Sequence, residues 1–122
     1  MRLLLLLAAA AVLAGCGSKK TDPYARANVA LLDRVPAYPG SAAPRTTTSG
    51  ASNTQFGARD WTLPANATAR AVVRWYEQAL PKRGWKITGE SFGTLRAVRG
   101  GAAISVGVRG RKLEITANSR GA

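Results

Sequence analysis

At Gly84 the spacing of apolar residues changes from a period near 3.6 to a period of 2, and this change limits the fold more than any other feature of the chain. Before it, Ala69, Val72, Val73, Tyr76 and Leu80 recur three and four residues apart, with Arg70, Arg74, Glu77 and Lys82 turned mostly outward. That pattern predicts a helix beginning near residue 66 or 68 and running to 83. Pro81 would remove a hydrogen bond and clash with the preceding turn, so it belongs in a frayed last turn. Gly84 then supplies a left-handed cap. After it, Trp85 and Ile87 alternate with Lys86, Thr88 and Glu90, and Gly89 ends or bulges the strand. Leu95 and Ala97 share one face of a second strand, and Ile104, Val106 and Val108 share one face of a third. Gly100-Gly101 fits the two-residue hairpin turn between them, which requires positive φ. Arg109-Gly110-Arg111-Lys112 makes another turn, and Leu113, Ile115 and Ala117 give a last strand. The expectation is an α+β fold, with an antiparallel β-sheet meander packed against one main helix.

Earlier in the chain the signals are shorter. Asp22-Pro23 reads as an N-cap followed by proline at the first helical position. Tyr24, Ala27, Leu31, Leu32 and Val35 then form one apolar stripe, so a short N-terminal helix is expected over 23–34, closed by Pro36. An extended spacer is the competing reading. Ala37-Tyr38-Pro39-Gly40-Ser41 is a turn, because proline presets φ and glycine accepts positive φ. Arg45-Thr46-Thr47-Thr48 fits an edge strand with a loop over 49–53. Alternation from Phe56 to Leu63 predicts another strand, which Pro64 stops.

The N-terminus specifies location. An apolar run over residues 3–13 follows Met1-Arg2 and ends in Leu13-Ala14-Gly15-Cys16, which holds the only cysteine of the chain. A run of that length is short of the roughly 20 residues needed to span a bilayer as a helix. It therefore suits export better than permanent anchoring. These four residues resemble the lipobox of bacterial lipoproteins at every position. The resemblance implies a signal peptide over 1–15, cleavage between Gly15 and Cys16, and diacylglycerol on the Cys16 thiol, with N-acylation in some cases. Two or more acyl chains make a stable anchor where one gives only marginal binding. Lys19 and Lys20 would lie at headgroup level, where each adds about 1 kcal/mol near an anionic leaflet, or they merely solubilise the tether. The expected organisation is a signal peptide, a lipidated tether over 16–36 containing the short helix, and a domain over 37–120. The expected location is the extracytoplasmic face of the cell membrane.

The segment from Val35 to Ile87 carries a second likeness. Pro36-Ala37-Tyr38-Pro39-Gly40-Ser41, Val72-Val73-Arg74-Trp75-Tyr76 and Leu80-Pro81-Lys82-Arg83-Gly84-Trp85 resemble small uncharacterised bacterial envelope lipoproteins. The resemblance covers about half of the chain after Cys16. It implies an α+β fold and brings no activity with it.

Charge narrows the partners. The chain has 18 Lys and Arg against 6 Asp and Glu, a net charge of +12. Nucleic acid is not expected as a partner. The export signal places the domain outside the cytoplasm, and the basic residues are scattered without interleaved aromatic platforms. Anionic envelope polymers or an envelope protein fit the charge through long-range attraction, as does a solvated basic surface with no dedicated partner. With Cys16 taken by lipid, the domain has no disulfide to staple it.

Catalytic chemistry finds little purchase in the sequence. There is no histidine, which removes Ser-His, Cys-His and His-ligated metal arrangements. The carboxylates after Asp22 are Asp33, Asp60, Glu77, Glu90 and Glu114, well separated along the chain. Folding would have to bring a pair together, for instance Asp60 with Glu114 across strands. No cofactor or metal site is expected, and the chain reads as non-enzymatic. Its expected work is binding or scaffolding through the basic domain. The aromatic residues Trp61, Trp75 and Tyr76 are the candidate contacts for a ligand or partner. In the alternative reading, a small-ligand module, they line a pocket between helix and sheet. Strand and helix positions favour the core for such rings, with Trp75 at the edge of the helix face.

Overall fold

The structure is a computed structural model that describes residues 23–42, 45–48 and 57–119. Leu13, Ala14, Gly15, Cys16, the tether up to Asp22 and the loop at 49–53 lie outside the described residues.

The element order is α1 (Pro23–Asp33), β1 (Arg45–Thr48), β2 (Gly57–Thr62), α2 (Ala69–Ala79), β3 (Lys86–Ser91), β4 (Thr94–Arg99), β5 (Ala102–Arg109) and β6 (Lys112–Asn118). The Thr68 hydroxyl accepts a hydrogen bond from the Ala71 amide at 3.1 Å and so starts α2. At its other end Leu80 is still right-handed, and the chain tightens into a 3₁₀ turn over Pro81–Arg83. Proline is tolerated there because the first residue of such a turn has no donor to satisfy. Gly84 then takes φ 86°, the left-handed conformation that turns the chain into β3.

The strands form one six-stranded antiparallel sheet in the order β1-β2-β6-β5-β4-β3. The meander β3 to β6 follows the sequence, while β2 adds to the free side of β6. Helix α2 therefore spans the sheet between two strands that are not neighbours. A register shift between Ile87 and Gly89 marks a bulge in the edge strand β3.

Alternation divides the sheet into two unlike faces. Leu95, Ala97, Ile104, Val106, Leu113, Ile115 and Ala117 are buried under the helices with Val72, Val73, Tyr76, Leu80 and Trp85. Each fully buried Leu, Ile or Val contributes about 1.5–3 kcal/mol relative to exposure. On the other face Arg96, Ser105, Glu114 and Thr116 stand toward water with no element of the described residues covering them.

Helix α1 belongs to the core. Asn28, Leu32 and Val35 are buried, and the Ser119 amide donates to Asn28 Oδ1 at 2.7 Å. At Gly57 a Cβ would come within 3.0 Å of Asn28 Cβ, so α1 rests on bare β2 backbone. The apolar stripe expected before residue 37 thus packs against β2 and β6 through its buried members, Leu32 and Val35.

Candidate binding surface

The uncovered sheet face contains a trough of about 470 Å³ near the ends of β4, β5 and β6. Thr94, Ser105 and Thr116 supply hydroxyls to its walls, Arg109 and Lys112 supply cations, and Gly107 lies among them. Strand alternation puts these side chains on one surface, and the direct register Thr94 to Gly107 to Glu114 places them in one row across three strands. Asp60 lies directly opposite Glu114, as the sequence allowed. Lys112 Nζ stands 3.4 Å from Asp60 Oδ2 and 3.7 Å from Glu114 Oε2, so one ammonium offsets two carboxylates that would otherwise repel.

Phe92 forms the rim of the trough, and its side chain is fully exposed. It sits in the two-residue turn joining β3 to β4, where Phe92 has φ 50° and Gly93 φ 75°. Positive φ at both positions is the type I′ hairpin pattern, which favours Asn-Gly or Gly-Gly. A bulky residue at the first position carries backbone strain. The Val108 amide donates to the Gly93 carbonyl at 3.2 Å, fastening the turn to β5. Sequence reasoning passed over Phe92, although its signal was present. A lone glycine breaks two runs of period 2, and the aromatic precedes it at the tip.

The three aromatics expected at a contact surface separate. Trp61 and Tyr76 are buried in the core, with relative exposures of 6% and 0%. The Tyr76 hydroxyl donates to the Pro36 carbonyl at 2.7 Å, which ties the chain after α1 to α2. Burial pushes the Tyr76 phenol well above its usual pKa, a backbone hydrogen bond at Tyr38 only partly opposing it, so the group stays a neutral donor. Trp75 alone keeps an accessible edge. Tyr38 meets it edge-on at 5.7 Å, Tyr76 at 4.8 Å, and it lines a recess of about 450 Å³ together with Pro36, Lys82 and Arg83. Apolar side chains fill the space between α2 and the sheet. The recess beside α2 and β3 is lined by Arg70, Val73, Arg74, Glu77 and Glu90, a charged lining without aromatic rings.

Glu77 and Glu90 are the second carboxylate pair that folding assembles. A hydrogen bond between their side chains raises the Glu77 pKa above 4.5, with desolvation and the charge of Glu90 adding to the rise and Arg74 opposing it. Glu77 is only partly covered, and water screens any charge it develops. Among the described residues no three Asp, Glu, Cys or His groups come together in a metal-binding arrangement. Among them, too, no helix is long and apolar enough to cross a membrane. Gly15 and Cys16, the expected processing and lipidation residues, lie outside the described part. No family model matches the chain, and no curated protein or solved structure is similar to it at a significant level.

Proposed function

We propose that the chain is a lipid-anchored protein of the bacterial envelope, held by Cys16 on the extracytoplasmic face of the membrane and working as a non-enzymatic binding or scaffolding domain. One observation carries this reading: the run Leu13-Ala14-Gly15-Cys16 closes a short apolar segment and contains the only cysteine. The fold supports it in one respect. Only residues 17–22 separate Cys16 from α1, so anchor and folded domain are joined by a short polar link. The partner surface is the uncovered sheet face, where Phe92 and the hydroxyl-lined trough combine an exposed ring with polar groups. An anionic envelope polymer or an envelope protein fits that surface, and a small ligand fits it better than the filled space between helix and sheet.

The test is Cys16→Ala in a bacterial expression host with an intact lipoprotein pathway. The expected result is loss of metabolic labelling by a fatty-acid probe, with the protein either leaving the membrane fraction or accumulating as uncleaved precursor. A variant that is cleaved normally and still sediments with membranes overturns the lipid reading.

A further inference from the structure

Asp60, Glu90 and Glu114 lie toward the hairpin tips, among the exposed cations Arg109, Arg111 and Lys112. Asp60 pairs with Glu114 beside Lys112, while Glu90 precedes the Phe92 turn and holds Glu77. The opposite end is crossed by α1. There the turn between β4 and β5, the end of β6 and the 3₁₀ turn after α2 converge. A Cβ on Gly84 would lie 3.5 Å from Arg99 Nε, and Arg83 donates to the Arg34 carbonyl at 3.4 Å. Arg34, Lys82, Arg83 and Arg99 are all exposed at this end. The acid beside them, Asp33, is already engaged by Arg59 at 2.7 Å. Among the described residues none of the four cations meets a carboxylate within 4.0 Å.

We infer that this α1 end is a docking surface for an anionic phospholipid bilayer, an inference that rests on the lipid-anchored reading. Charge complementarity argues for that occupant, since phosphate headgroups supply the anions that the surface lacks. A recess of about 320 Å³ between α1 and the turn from β4 to β5 has Ala27, Ala30, Leu31 and Ala102 in its walls and Arg34 and Arg99 at hand. That pairing of apolar stems with guanidinium groups suits the boundary between headgroups and acyl chains. Trp75, beside Lys82 and Arg83, adds an amphipathic ring of the kind found at this depth. Chain length argues the same way. From Cys16 to Pro23 is seven residues, which span at most about 25 Å fully extended. The lipid therefore keeps the α1 end close to the bilayer and raises its effective concentration there. Docked in this way, the domain points Phe92 and the hairpin tips away from the membrane.

The experiment uses the full chain with Cys16→Ala, which carries no lipid, and vesicles of phosphatidylcholine with or without phosphatidylglycerol. Comparing the two vesicle types cancels the contribution of the apolar residues 3–13. The expected result is preferential binding to the anionic vesicles at low salt, fading at high salt. Each cation at an anionic leaflet is worth roughly a fivefold change in partitioning, so the combined change Arg34→Gln, Arg83→Gln and Arg99→Gln lowers the preference on the order of a hundredfold. An equal-charge control, Arg70→Gln, Arg96→Gln and Arg109→Gln, lowers it far less. Equal losses in the two triple variants, or no loss in the first, overturn the inference. A second measurement needs no variant. Brominated lipid in the anionic vesicles quenches the fluorescence of Trp75, while Trp61 and Trp85 are shielded by burial; absence of quenching also overturns it. Because Cys16 is replaced throughout, failure here removes the docking surface and leaves the acylation of Cys16 to its own test.

Discussion

At one end of the sheet α1 lies across the strands and buries Asn28, Leu32 and Val35, while at the other end Phe92 projects from a two-residue turn with its ring in water. The two ends belong to one sheet and differ in what their sequences stabilise. At the α1 end the Ser119 amide is held by Asn28, and around the packed helix Arg34, Lys82, Arg83 and Arg99 are exposed, with Asp33 engaged by Arg59. The hairpin end gathers carboxylates, hydroxyls and an aromatic ring held in an unfavourable backbone conformation. Natural chains keep such strain where it serves a contact and compensate for it elsewhere. Buried side chains bring α1 onto the sheet at one end, and the exposed ring and polar trough lie at the other.

The largest expected effect tests whether the α1 end is part of the folded unit. Leu32 is completely buried and contacts the β2 backbone at Gly57. Leu32→Ala removes its apolar contacts and leaves a cavity, so unfolding by urea should show a loss of about 2–5 kcal/mol. A loss below about 0.5 kcal/mol, the size of an ordinary surface substitution, would make α1 a spacer and erase the contrast between the ends.

Much of this contrast was legible in the residues themselves. The stripe Tyr24, Ala27, Leu31, Leu32 and Val35 announced α1, and the alternation after Gly84 announced four strands and the buried faces of β4, β5 and β6. Local pattern could not say that α1 enters the core, because an amphipathic stripe records that a face is apolar and not what covers it. It offered β2 beside β6 only through the possible pairing of Asp60 with Glu114, because the partners lie about 50–60 positions apart. Trp61 and Tyr76 were ambiguous for the same reason: a ring lining a pocket and a ring filling a core have the same spacing. The Asp60 and Glu114 pair was readable as a possibility only. The Glu77 and Glu90 pair needed the helix placed over the edge strand before it existed. Phe92 is the clearest omission, since one aromatic in a turn creates no periodicity.

At the hairpin end the expected change has the opposite sign. Replacing Phe92 by Asn gives the turn an Asn-Gly sequence, which accepts positive φ at both positions. A left-handed conformation costs an ordinary residue roughly 1–2 kcal/mol, and Asn tolerates it better. The fully exposed ring has little packing to lose. Phe92→Asn should therefore raise the denaturation midpoint by the equivalent of about 1 kcal/mol. A lowered midpoint would show that the ring contributes to folding and that the turn holds no strain for the substitution to relieve.

The smallest effect concerns the pair linking α2 to β3. The Glu77 carboxyl is raised above 4.5 chiefly by its hydrogen bond to Glu90, so the folded protein holds this proton more tightly than the unfolded chain does. The stabilisation is fully present below pH 4.5 and is lost as pH rises through the elevated value. Exposure to water keeps it small. Glu77→Gln retains a hydrogen-bonding partner for Glu90 and cannot ionise, so its melting temperature should fall less than that of the parent across this window. Melting curves followed by circular dichroism at closely spaced pH values give the difference directly, with the other titrating groups cancelling between the two proteins. Parallel curves would mean that the carboxyl pair does not persist in solution, and the hairpin end would then keep Lys112 with Asp60 and Glu114 as its one coupled charge cluster.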